Sequence, residues 1–144
     1  YADIGTFVKM IKDDTPDDLV YLVDDTFSKI TLYENKAKNA SAILNDDGSY
    51  DVTFTVEAKK VYSDSTGVQT KAKLNDWLEI GILGEDELSG KKIEIPILLE
   101  KVFITDSVTT YTYNVNQKPV KAGIDPMNKF IDRVIDDNIV RVEF

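Results

Sequence analysis

From Tyr50 to Lys59 apolar and polar residues alternate at every position: Tyr50, Val52, Phe54, Val56 and Ala58 on one parity, Asp51, Thr53, Thr55, Glu57 and Lys59 on the other. Successive side chains of a β-strand leave opposite faces, so this pattern describes a strand with one dry face and one wet face. Such a strand needs neighbours patterned the same way, and the chain supplies them. Ile30-Thr31-Leu32-Tyr33 opens the series, and Ala40, Ala42 and Leu44 continue it more weakly. Asn45-Asp46-Asp47-Gly48 follows, where Asp-Gly tolerates the positive φ of a tight hairpin, so the Tyr50 strand is predicted to pair back antiparallel.

Lys59-Lys60 breaks the alternation and predicts a bulge residue or a strand end before Val61 and Tyr62. Ser63 to Gly67 reads as a loop. Leu78, Ile80 and Ile82 alternate with Trp77, Glu79 and Leu83, Trp77 being assignable to either face, and the acidic Gly84-Glu85-Asp86-Glu87 is predicted to close that strand. Ile93, Ile95, Ile97 and Leu99 alternate again around Pro96, which has no N–H to donate and therefore predicts an edge strand or a bulge. Tyr111, Tyr113 and Val115 stand opposite Thr110, Thr112 and Asn114. Short strands separated by turn signals favour a sandwich over a βαβ sheet, and the expected fold is mainly β: an antiparallel immunoglobulin-like β-sandwich preceded by one or two short α-helices.

The period is 3.6 only before Ile30. Ile4, Phe7, Val8 and Ile11 form one helical stripe, and Leu19, Leu22, Val23, Phe27 and Ile30 a second. Thr15-Pro16-Asp17-Asp18 offers a side-chain cap, a first-turn proline and acids for the positive end of the dipole, which predicts that the second helix begins there. The expected organisation is a helical segment over 1–29, the end of an upstream helical domain, and a β-sandwich domain over 30–144. Because Tyr1 is not a methionine, the chain is read as excised from a longer protein.

At 42% apolar and 30% charged residues the chain has the composition of a folded domain. The net charge of −9 repels phosphate backbones, so nucleic acid is not an expected partner. No apolar run is long enough to insert in a membrane. The chain has no histidine and no cysteine, which removes serine triads, papain-like dyads, thiolate chemistry and HExxH zinc sites from it. No phosphate-binding glycine loop is present. Catalytic, cofactor-binding and metal residues are therefore expected to be none.

Carboxylate-pair catalysis needs no histidine, but Glu57, Glu79, Glu94 and Glu100 fall on the polar faces of predicted strands. The turns Asn45-Asp46-Asp47-Gly48 and Asp132 to Asp137 lack the spacing of a calcium loop and read as turns. Trp77, Tyr111 and Tyr113 read as core aromatics before a sugar platform. In the tail Gly123 and Pro126 punctuate a turn that Asp125 is placed to hold, and Arg133 is set to pair with Asp132, Asp136 or a neighbouring domain.

The runs DDTFSKITLYENKAKNA, YDVTFTVEAKKVYSDSTG, LNDWLEIGIL, IPILLEKVFIT and KPVKAGIDPMNKFIDRVIDDN resemble the C-terminal region of large Bacteroidetes proteins in which an ABC-transporter-like permease portion is fused to a zinc aminopeptidase of the alanyl-aminopeptidase type. The resemblance implies a non-catalytic accessory sandwich downstream of a thermolysin-like domain. It places the zinc in that upstream catalytic domain and makes the upstream domains of the same polypeptide the partners. It further implies a soluble domain of a membrane-anchored bacterial protein, with the extracytoplasmic side favoured. Met10 and Met127 stand in no GxMEN-like context, so no catalytic residue carries over. Phe7, Leu19, Leu22 and Arg133 are the expected interdomain contacts. The alternative is an independent sandwich module that binds peptide, glycan or calcium.

Overall fold

In the computed structural model, which describes residues 3–144, two short helices precede ten strands. Helix α1 spans Ile4–Asp14 and α2 Val20–Phe27; the strands are β1 Ile30–Tyr33, β2 Lys36–Leu44, β3 Tyr50–Glu57, β4 Lys60–Ser63, β5 Gln69–Lys71, β6 Asp76–Leu88, β7 Lys91–Ile104, β8 Val108–Val115, β9 Pro119–Ile124 and β10 Ile139–Arg141. They form three antiparallel sheets, ordered β2-β3-β8, β10-β9-β6-β7 and β1-β4-β5. The fold is mainly β, as the alternation requires.

The first two sheets share one core. Val52, Phe54 and Val56 of β3 and Val115 of β8 meet Leu78, Ile80 and Ile82 of β6 and Ala122 and Ile124 of β9. Each large aliphatic or aromatic side chain withdrawn from water here contributes about 1.5–3 kcal/mol. The chain's end ties the two sheets at their edge: Glu143 donates to the Ala40 carbonyl and accepts from the Ala42 N–H, while the Val142 N–H reaches the Val120 carbonyl.

β1–β2 and β3–β4 are one long bent hairpin. Ile30 pairs with Ser63 and Lys36 with Glu57, and the register runs on between them because Glu34 and Lys59 exchange both backbone hydrogen bonds. No residue is inserted at Lys59-Lys60, so of the two alternatives the bulge is absent and the strand end holds, β3 closing at Glu57 and β4 opening at Lys60. The irregularity lies on the partner strand between Lys38 and Ser41, where Asn39 takes a positive φ of 52°. The predicted turn is in place at the hairpin tip, with Gly48 at φ 86° and Ser49 hydrogen-bonded to Asp47 through its N–H and its hydroxyl.

Three local expectations need correction. Gly84 to Glu87 does not close a strand: β6 continues to Leu88 and turns into β7 through Ser89 and Gly90, whose φ values of 53° and 76° give the two-residue turn that fits hairpin twist. The alternation fades there because both arms are wet and held by pairs such as Lys92–Glu85 at 2.9 Å. Thr15 does not cap the second helix. Its hydroxyl donates to the Ile11 carbonyl at 2.6 Å and closes α1, whereas α2 starts at Val20 without a side-chain cap. Nor is Gly123 a turn residue. It lies in β9 opposite Ile139, where an added Cβ would collide with the Asn138 carbonyl oxygen and sit 2.8 Å from Ile139 Cα.

Pro96 meets both of its alternatives. β7 is an edge strand paired only with β6, and the register slips beside Pro96, between Ile82 and Leu83.

Candidate functional site

The core parity of β3 does not stop at Ala58. Because the hairpin register is unbroken, Lys60 and Tyr62 take the next inward positions, and on the partner strand Thr31 and Tyr33 face them. Helix α2 closes this end with Tyr21 and Asp25, and Asp76 enters from the start of β6. The result is a buried ionic node in which the side chains of Lys60, Asp25 and Asp76 are 3%, 6% and 0% exposed.

Lys60 Nζ donates to Asp76 Oδ1 at 2.7 Å and lies against Asp25 Oδ2 outside hydrogen-bond geometry, which leaves that oxygen without a donor. The Tyr33 hydroxyl donates to Asp76 Oδ1 at 3.1 Å, the Asn75 N–H to Asp76 Oδ2 at 3.0 Å and the Tyr62 hydroxyl to Asp25 Oδ1 at 3.0 Å. Lys29, half exposed, donates to the Tyr62 hydroxyl at 3.2 Å and stands 3.7 Å from Asp25. Rings of Tyr21, Tyr33 and Tyr62 surround the Lys60 ammonium with centroids 5.2 to 5.8 Å away.

Burial pulls the Lys60 pKa down, but the close contacts with the two aspartates and their charges outweigh it and hold the ammonium above its ordinary value. Burial, then the charge of Asp76, pushes the Tyr33 hydroxyl well up, so it stays a donor. The node fixes α2 to β4 and β6, and the Thr31 hydroxyl adds a bond to the Asp25 carbonyl oxygen at 2.9 Å.

The carboxylates singled out in the sequence do not converge. Glu57 pairs with Lys38 at 2.7 Å, Glu79 with Lys129 at 2.8 Å and Glu94 with Lys121 at 2.7 Å, while Glu100 faces Tyr113, whose hydroxyl burial and Glu100 push up to about 12. Tyr111 and Tyr113 stack with centroids 6.3 Å apart and pack on the core, while Trp77 stands elsewhere, beside Phe103 at 5.3 Å. They form no common platform. Among the described residues no group of three carboxylates is placed to hold a metal ion.

Asp125 does hold the tail turn. Fully buried at a φ of 45°, it accepts from the N–H groups of Lys129 at 2.8 Å and Phe130 at 3.0 Å. Burial pushes its pKa up, partly offset by those two bonds.

Of the four interdomain candidates, Phe7 is exposed and packs edge-on against Phe27 at 6.0 Å, and Leu19 and Leu22 are half-buried. Arg133 forms no ion pair with Asp132 or Asp136. Asp132 instead accepts from the N–H groups of Asn35 at 2.7 Å and Val134 at 3.0 Å, and Arg133 stays exposed.

Lys60 was missed in the sequence because a lysine in a strand reads as wet; its even parity after Ala58 was the available signal. Compared with protein-family models, with curated proteins and with solved structures, the chain shows no match in any of the three.

Proposed function

We propose that this chain is a non-catalytic accessory module that packs against other domains of its own polypeptide through α1. The observation that carries the reading is that α1 buries none of its residues: Ile4 and Phe7 of its stripe are exposed, and so is Met10, one turn on from Phe7. A helix with a strong apolar stripe covers it in its working context, and clustered exposed apolar side chains mark an interaction surface. The resemblance to the C-terminal region of permease–aminopeptidase fusions supplies the partners, with the zinc held in the upstream catalytic domain and the module on the extracytoplasmic side.

The strand order favours the immunoglobulin-like reading of the sandwich. Lettered A to G in chain order, β2, β3, β6, β7, β8, β9 and β10 form sheets A-B-E and G-F-C-D. That is the seven-strand constant-type arrangement with strand D beside C instead of E.

The reading predicts that the isolated chain folds and releases no product from an aminoacyl reporter in the presence of zinc. Hydrolysis that tracks the folded chain through purification contradicts it.

A second reading, an independent peptide-binding module, is favoured by β8. This edge strand pairs with β3 along its whole length, has no partner on its other side among the described residues, and contains no charge, proline or bulge. The bond from the Ala58 N–H to the Ser107 carbonyl sets the ladder's phase and turns the backbone of Val108, Thr110, Thr112 and Asn114 outward. β7, the long edge of the other sheet, is blunted by Pro96 and by Lys91, Lys92, Glu94, Glu100 and Lys101. An extended peptide adding to β8 slows hydrogen exchange at those outward amides; unchanged exchange across a library of extended peptides rejects this reading.

A further inference from the structure

We propose that Lys60 and Asp25 condense with each other to form an intramolecular isopeptide bond, with Asp76 relaying the protons. The inference rests on the geometry of the node and is independent of the partner assigned to α1.

The three requirements of such a condensation meet at one place. The first is contact between amine and carboxyl. Lys60 Nζ lies against Asp25 Oδ2 off the hydrogen-bond line, and that oxygen, in a side chain 6% exposed, has no hydrogen-bond donor among the described residues. The second is a polarised carbonyl. Tyr62 donates to Asp25 Oδ1 at 3.0 Å, backed by Lys29, so charge that develops on Oδ1 during attack is already faced by a donor. The third is a proton relay. Asp76 accepts from Lys60 at 2.7 Å, and the Tyr33 hydroxyl and Asn75 N–H hold it in place. Tyr21, Tyr33 and Tyr62 wall the site, which disfavours separated charges and water, the product of the condensation.

The step balances without an oxidant or reductant. The Lys60 ammonium passes one proton through Asp76 to Asp25 Oδ2, so a neutral amine faces a neutral acid. The nitrogen lone pair attacks Asp25 Cγ, and charge gathers on Oδ1 beneath the Tyr62 hydroxyl. The nitrogen then loses a second proton, again through Asp76, to Oδ2. That oxygen leaves as water, the Cγ–Oδ2 bond breaks, the Nζ–Cγ amide remains, and Asp76 ends as the carboxylate it was. The product ties α2 covalently to β4.

Intact mass of the denatured 144-residue chain tests this directly. The expected result is a mass one water below that of the sequence, with a branched peptide joining the segments that contain Asp25 and Lys60 and no tryptic cleavage after Lys60. Lys60→Met and Asp25→Ala restore the full mass. Asp76→Asn keeps both reacting groups and slows accumulation of the light species about 100-fold, the lower end of what a positioned acid–base group contributes. A wild-type chain at full mass overturns the proposal. So does a water deficit that persists in Lys60→Met, as dehydration at Asp47-Gly48 would.

Discussion

Lys60 donates to Asp76 at 2.7 Å where neither side chain reaches solvent, and this contact joins the β1–β4 hairpin to the first residue of β6. Removing the ammonium leaves two carboxylates facing each other in the dry interior. Measured against chain that still carries the free Lys60 ammonium, Lys60→Met is therefore expected to cost about 3–5 kcal/mol by urea unfolding. Adding apolar replacements at Asp25 and Asp76 is expected to restore much of the loss, because no unpaired charge then remains. A neutral effect of Lys60→Met alone refutes the node as a stabilising clamp.

Asp125 presents the complementary case, a buried carboxylate satisfied by backbone. Asp125→Asn keeps a residue that tolerates the left-handed conformation but turns an amide donor towards the N–H of Lys129 or Phe130. A loss of about 1–3 kcal/mol is expected, the cost of an unmade buried hydrogen bond, with slower-exchanging amides at 129 and 130 becoming fast.

Gly123→Ala drives a methyl group into the backbone of Asn138 and Ile139. Backbone on both sides cannot move aside as a flexible side chain does, so β10 is expected to detach from β9. The expected signature is loss of protection at the Ile124 N–H, which donates to the Asn138 carbonyl at 2.9 Å, with β3 and β6 protected as before.

Acid acts on two groups of carboxylates with opposite sign. Hydrogen bonds from Ser49 hold the pKa of Asp47 below its ordinary value, and those from Thr66 and Val68 do the same for Asp64. Their stabilising effect is present above the unfolded carboxylate range and lost as pH falls through the lowered values. Asp125 is raised, so its contribution is present below the unfolded range and lost as pH rises through its folded value. Unfolding free energies across mildly acidic pH are expected to show a steeper acid loss in Asp125→Asn than in the wild type.

The features legible in the sequence are those set by near neighbours. The alternation from Tyr50 to Ala58, the Asp47-Gly48 turn and the edge role of Pro96 each depend on a few consecutive residues. Lys60 escaped because its burial depends on Asp25 and Asp76, which lie far away in the chain; only the parity continued from Ala58 pointed inward. The outer half of the β6–β7 hairpin escaped for the opposite reason, since a strand wet on both faces carries no period. Gly123 resembled turn punctuation, yet its role is to let β10 approach β9, a contact made only after folding.

The proposed packing of α1 against other domains of its own polypeptide requires its apolar face to be covered in a longer polypeptide. Met10 and Met127, the only two methionines, are 61% and 50% exposed in this chain, which makes Met127 an internal control for Met10. Peroxide oxidation of both, followed by peptide mass spectrometry in the isolated chain and in the longer polypeptide, reads the claim directly. Comparable rates are predicted in the isolated chain, with Met10 alone becoming protected in the longer polypeptide; undiminished oxidation of Met10 there contradicts the account.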